Sequence, residues 1–249
     1  LRAVAGGPAL GTVPADDRID LGVRGDAPLA EAFRRIRTNL RFAEGGDSLP
    51  RSVVVTSALP GEGKTTVACN LAVSLAEAGW RVILVDADLR GSPLASRLGV
   101  EEADGLAELL SGGRTVDEVL RQWGPETLSV LPGGAATGNP GDLVASRMMP
   151  FILEKLGDRA DIVLIDTPPV LSTTDAAVLA RGCTGALVVA RHGGTRREDV
   201  AQAVERLETV RARVLGTVLN GDQPKRGAYV ENDLRLLRPT VRRRLAAQR

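Results

Sequence analysis

Ser57-Ala58-Leu59-Pro60-Gly61-Glu62-Gly63-Lys64-Thr65-Thr66 is the stretch whose reading decides the fold. Before it runs Val53-Val54-Val55, a β-branched segment that reads as a buried strand. After it, Val67, Leu71 and Leu75 recur at helical spacing, and Gly79 can end the helix. Strand, glycine loop, helix is the context that a phosphate-binding loop requires. Glycines let backbone amides turn inward on an anion, and a helix N-terminus adds about half a unit of positive charge there. Lys64 has the length to reach β- and γ-phosphates, and the Thr65 hydroxyl is a ligand for Mg²⁺. Ala58 stands where the common pattern has a glycine, six residues before the lysine. The competing reading is an ordinary glycine-rich turn, and Gly63-Lys64-Thr65-Thr66 in this setting weighs against it.

Outward from the loop, strand and helix signals alternate. Val82-Ile83-Leu84-Val85-Asp86, Leu128-Ser129-Val130-Leu131, Ile162-Val163-Leu164-Ile165-Asp166, Ala186-Leu187-Val188-Val189-Ala190 and Val214 to Leu219 read as strands. Helices are expected around Leu106 to Leu110, Val116 to Leu120, Leu143 to Leu156, Asp175 to Ala180 and Val200 to Leu207. Continuous apolar strands separated by helices imply an α/β fold with a mostly parallel sheet covered on both faces. Ligands of such sheets sit at the carboxyl ends of the strands, where the loop, Asp86 and Asp166 all fall.

Upstream, Phe33, Ile36 and Leu40 form one helical stripe, with Arg34, Arg37 and Arg41 on its flank and Glu31 near its start. A solvated basic face explains that run on its own. Residues 1–27 are rich in Gly, Pro and Asp and read as a linker or extended arm. The tail from Arg235 holds six arginines and no acid. It reads as a solvated end or as a segment lying against anionic lipid.

Composition narrows the function classes. Among 249 residues, 32 basic side chains nearly cancel 31 acidic ones. That balance gives no support for nucleic acid as the main partner, and six aromatics leave little for base stacking. Cys69 and Cys183 stand far apart in no metal spacing, consistent with a reducing compartment. No run of eighteen apolar residues crosses a membrane and no secretory signal is visible. The chain begins at Leu1 rather than Met and is expected to be a piece of a longer polypeptide.

Three acids carry the chemistry. Asp86 and Asp88 are two apart in extended chain, so both carboxylates can face one site. Without a cation they would repel, and Mg²⁺ arriving with ATP removes that conflict. Each could instead cap a turn or helix. Asp166 ends an apolar strand as a Mg²⁺-binding acid of a nucleotide site does. His192, the only histidine, has no nucleophile to pair with and receives no role.

These residues together resemble the bacterial tyrosine kinase family of capsule and exopolysaccharide assembly. Pro60-Gly61-Glu62-Gly63-Lys64-Thr65 resembles its Walker A, Val85-Asp86-Ala87-Asp88-Leu89-Arg90 its Walker A′, and Ile165-Asp166-Thr167-Pro168-Pro169 its Walker B. Asn139-Pro140, and Gly216 to Asn220, also fit. Glu31, Arg34 and Arg37 match a Glu-x-x-Arg-x-x-Arg motif that in the family mediates ring assembly. The resemblance covers residues 28–222 and implies a P-loop ATP-binding, kinase-like domain there, flanked by an arm at 1–27 and a basic tail at 223–249. It implies Lys64 on the transferring phosphate, Thr65, Asp88 and Asp166 around Mg²⁺, Asp86 as proton acceptor, and Asn220 near adenine. Pro60, Gly61, Glu62, Gly63 and Thr66 complete the ATP cradle. It further implies a ring-like homo-oligomer at the inner face of the cell membrane, held by an upstream or partner transmembrane segment. Leu10-Gly11-Thr12-Val13-Pro14 resembles the segment after the second transmembrane helix of fused members.

The departure lies at the C-terminus. Family kinases end in a tyrosine cluster, whereas this chain has one tyrosine, Tyr229, as candidate phosphoacceptor. Two other readings follow. One is a nucleotide-controlled oligomerisation module of the same machinery with little kinase activity. The other is a ParA/MinD-type partition ATPase, which would carry a second lysine where Leu59 stands.

Overall fold

The computed structural model describes residues 7–15, 28–43, 48–91, 93–101, 104–135 and 138–222. Its elements run β1 (Ala9–Pro14), α1 (Pro28–Arg41), β2 (Ser52–Ser57), α2 (Lys64–Glu77), β3 (Val82–Asp86), α3 (Leu94–Leu98), α4 (Leu106–Leu110), α5 (Val116–Val119), β4 (Arg121–Gln122) and β5 (Leu128–Leu131). They continue through α6 (Pro140–Val144), α7 (Met148–Gly157), β6 (Ile162–Asp166), α8 (Asp175–Gly182), β7 (Gly185–Arg191), α9 (Arg197–Thr209) and β8 (Val214–Asp222). The strands form one sheet in the order β1-β8-β7-β2-β6-β3-β5-β4. Every pairing is parallel except β4 with β5 at one edge. The α/β, P-loop-like expectation therefore holds.

The central strands are apolar throughout because both faces are covered. Val53 and Val55 of β2, with Val82 and Leu84 of β3, face a core shared with Phe33, Ile36, Leu71 and Leu75 of α1 and α2. Val54, Ile83, Val85, Val163 and Ile165 face the opposite core, closed by Leu106, Met149, Ile152, Ala176 and Ala203. Alternate residues of each strand thus divide between two cores, as the period of two requires. Helix α2 is buried along nearly its whole length because α1 lies over its outer side.

Two expectations are corrected here. The arm at 1–27 is not all linker, since Ala9–Pro14 forms an edge strand parallel to β8. Leu10 and Val13 join the core beside Phe33 and Ile36. The close approach needs glycine on both strands. A Cβ on Gly11 would lie 2.7 Å from Ile36 Cγ1, and one on Gly216 would lie 2.6 Å from Leu10 Cγ. The single helix expected over Leu143 to Leu156 is two helices, α6 and α7, parted at residues 145–147. Pro150 has no N–H and is tolerated only in a first helical turn, so it fixes a new start at Met148. Asn139 caps α6 by accepting the Gly141 N–H at 3.1 Å, with Pro140 in its first turn.

Register sets the site. Asp86 pairs with Asp166 across β3 and β6, and Val55 of β2 pairs with the same Asp166. The carboxyl ends of three neighbouring strands are therefore level, and the glycine loop leaves from β2, next to the strand that ends at Asp166.

Candidate active site

Loop shape comes first. Gly61 and Gly63 sit at φ +79° and +91°, left-handed values that favour glycine. A Cβ on Gly63 would overlap the Asn220 carboxamide. The loop carbonyls are held outward. Arg191 Nη1 donates to the Gly61 carbonyl and Asn220 Nδ2 to the Glu62 carbonyl, each at 3.0 Å. The buried Glu62 carboxylate accepts the Leu59 N–H at 2.8 Å and the Thr195 hydroxyl. With carbonyls turned out, the amides of the loop and of the α2 N-terminus are left to face an anion.

The charged groups lie just inside. Lys64 Nζ is 3.1 Å from Asp88 Oδ2, both side chains 13% exposed. Asp86 is buried, and its Oδ1 accepts the Asp88 N–H at 3.2 Å. Thr167 Oγ1 donates to the Val55 carbonyl and Thr56 Oγ1 to the Pro168 carbonyl, both at 3.0 Å, locking the end of β6 onto β2. Asp166 is wholly buried, and neither carboxylate oxygen has a hydrogen-bond partner of ordinary geometry. Burial lifts its carboxyl to about 6, against the pull of the Lys64 ammonium and the nearby Thr65 hydroxyl.

An orphaned buried carboxylate calls for an explanation, and a cation or its water supplies one. Thr65, Asp88 and Asp166 offer the oxygen donors that Mg²⁺ prefers. Among the described residues no cluster of three or more His, Cys, Asp or Glu is arranged to hold a metal alone. The set therefore fits a metal that shares its coordination with phosphate oxygens.

The structure brings Pro60 to Thr66, Asp86, Asp88, Asp166 and Asn220 to one end of the sheet. Asn220 touches the loop backbone itself. Glu31, Arg34 and Arg37 lie on α1. Glu31 pairs with Arg35 at 3.1 Å and Arg34 at 2.9 Å, and these hold its carboxyl below the usual range. Arg37 turns onto α2, where Nη1 donates to the Ser74 carbonyl at 2.5 Å. Tyr229 and the rest of 223–249 lie outside the described residues. Cys69 is a core residue whose thiol is pushed well up by burial. His192 pairs with Asp222 at 3.1 Å.

Several contributors escaped the sequence reading. Arg191 and Thr195 clamp the loop from 130 and more residues away, with no local signal beyond their place after an apolar strand. Arg90, visible in the Asp-x-Asp-x-Arg run, forks onto Asp175 at 3.2 and 3.4 Å. That tie fastens the segment after Asp88 to the start of α8, and the Asp175 side chain is only 1% exposed. Arg97 Nη1 donates to Thr66 Oγ1 at 3.1 Å from the short helix α3.

Comparison with known proteins agrees with this geometry. A family model described as ParA, NUBPL iron-transfer P-loop NTPase, matches residues 48–225. Tyrosine-protein kinase YwqD of Bacillus subtilis strain 168 is 37% identical over 192 residues, 77% of this chain and 81% of the relative. Tyrosine-protein kinase Etk of Escherichia coli strain K12 is 35% identical over 191 residues, 77% of this chain and 26% of Etk. The chain thus spans most of YwqD but about a quarter of Etk. The crystal structure of the chimerical protein CapA2B2 superposes with a TM-score of 0.83 at 32% identity, over 90% of this chain and 98% of that one. The broad P-loop match accounts for the sheet and the loop, and the relatives narrow it: the chain belongs to the bacterial protein-tyrosine kinase family.

Proposed function

We propose that the chain is the MgATP-dependent catalytic domain of a tyrosine autokinase that regulates capsule or exopolysaccharide polymerisation and export. The observation that carries this reading is the level pairing of Asp86 with Asp166, beside the Lys64–Asp88 contact. A phosphate cradle alone suits many nucleotide-binding proteins. A second buried acid on the neighbouring strand adds a proton acceptor next to a metal-binding set.

Lys64 leaves Asp88 to meet the β- and γ-phosphates when nucleotide enters. Thr65 and Asp88 hold Mg²⁺, with Asp166 acting directly or through water. Bound there, Mg²⁺ neutralises charge on the phosphate oxygens. Asp86 accepts the proton of an incoming tyrosine hydroxyl. Its Oδ1 is oriented by the Asp88 N–H, which fixes the carboxylate before substrate arrives. Asn220 holds the adenine side. Tyr229 is the candidate acceptor, and a neighbouring copy in a ring presents it. Glu31, Arg34 and Arg37 form the surface for that ring. The membrane partner is a polysaccharide co-polymerase segment or transmembrane activator. No helix among the described residues is long and apolar enough to cross a membrane.

Leu59 favours this reading over a ParA/MinD-type ATPase, because it occupies the place of the second lysine. The single tyrosine keeps the oligomerisation module as a second reading. Asp86→Asn separates them. Loss of phosphotyrosine with nucleotide affinity retained supports the kinase. Equal phosphate incorporation in Asp86→Asn and the unsubstituted chain rejects Asp86 as the base.

A further inference from the structure

Arg97, at the edge of the phosphate loop, makes no ion pair with any of the described residues. Its helix is seated firmly for so short an element. Leu94 and Leu98 are buried in the core beneath α2, and Trp123 Nε1 donates to the Leu98 carbonyl at 2.6 Å. From this seat the exposed Arg97 side chain crosses to α2, where Nη1 donates to Thr66 Oγ1. Among the described residues no carboxylate lies within ion-pair distance of its guanidinium, although Arg34, Arg81, Arg90, Arg114 and Arg159 all have one. Its field still reaches inward and lowers the Asp166 carboxyl and the Cys69 thiol against the effect of burial. The cation therefore faces the first turns of α2.

We propose that Arg97 is a phosphate ligand, supplied from α3, for the α-phosphate end of the bound nucleotide. The inference rests on the nucleotide reading above. Amides of a phosphate loop and its helix start cradle the α- and β-phosphates, while the loop lysine reaches the β and γ. Lys64 is turned towards Asp88 at the γ end. Thr66, two residues further into the helix, is on the α side, and Arg97 is held on Thr66. A guanidinium that donates to a neutral hydroxyl gains by exchanging it for a phosphate oxygen, since charge-assisted bonds are roughly twice as strong. The guanidinium also presents several donors, so it can keep Thr66 with one nitrogen and take phosphate with another.

The test measures ADP and a non-hydrolysable ATP analogue by isothermal titration calorimetry, on the full chain with Mg²⁺. Arg97→Ala weakens both nucleotides alike, by about tenfold or more. Arg97→Lys recovers part of the loss, because it keeps the charge and not the fork. Melting of the nucleotide-free Arg97→Ala variant moves little, as expected of an exposed side chain. Unchanged affinity for both nucleotides overturns the proposal. So does a loss confined to the ATP analogue, which would put Arg97 at the γ-phosphate. An unsubstituted chain that binds neither nucleotide would overturn the parent reading as well. Normal binding there with an unaffected Arg97→Ala overturns this inference alone.

Discussion

Replacing Asp166 with asparagine separates what the carboxylate costs the fold from what it does for the site. Asp166 is fully buried, and its carboxyl lies at about 6 rather than 3.8 because burial penalises the charge. One pKa unit corresponds to about 1.4 kcal/mol, so holding this carboxylate ionised costs the nucleotide-free protein about 3 kcal/mol. The folded state binds the proton more tightly than the unfolded chain does. The stabilising contribution is therefore complete below pH 3.8 and is lost as pH rises through about 6. Asparagine does not titrate, and whatever its amide costs is the same at every pH. The stability of Asp166→Asn relative to the unsubstituted chain should thus improve by about 2.4 kcal/mol between pH 4 and pH 7.5, most of the full difference. In a domain of this size that is a relative gain of roughly 5–10 °C in melting temperature. Urea unfolding at both pH values, with chelator and without nucleotide, measures the difference directly. The same variant should lose Mg²⁺-dependent ATP binding. A stability difference that does not change with pH would refute the reasoning, because Asp166 would then be ionised without penalty.

Three further substitutions probe separate parts of the site. Gly63→Ala forces a left-handed residue to carry a Cβ into Asn220 and should cost about 1–3 kcal/mol, with ATP binding lost in titration calorimetry. Asp175→Asn removes the buried charge that Arg90 grips. It should lower stability by about 1–3 kcal/mol in a thermal melt and raise the KM for ATP as the Asp88 segment loosens. Arg37→Ala loses the Ser74 bond, worth about 1 kcal/mol, and should also lower ATP turnover at assembling concentrations. A changed melt with unchanged turnover would make Arg37 a packing residue only.

What could be read from the sequence follows from how each element is stabilised. β2, β3, β6 and β7 are covered on both faces, so each is a continuous apolar run that needs no context to recognise. β1 is an edge strand that contains Gly11 and ends at Pro14, and only its docking onto β8 and α1 makes it a strand. α3 has five residues and β4 two, too few to show a period. The division of α6 from α7 was signalled by Pro150, whose weight depends on its distance from a helix start. The site divides the same way. Gly61, Gly63, Lys64, Asp86, Asp88 and Asp166 sit in contiguous motifs because one strand end delivers each group. Arg97, Arg191 and Thr195 act across the fold, through contacts that no local pattern announces.

The account turns on phosphoryl transfer to tyrosine with Lys64 and Asp86 as its agents. Mass spectrometry of the full chain after incubation with MgATP, alongside Lys64→Met and Asp86→Asn, tests it most directly. The account predicts one added phosphoryl group on Tyr229, the chain's single tyrosine, absent from both variants. Bound ATP with no phosphate on Tyr229, or phosphate there that survives Lys64→Met, would contradict it.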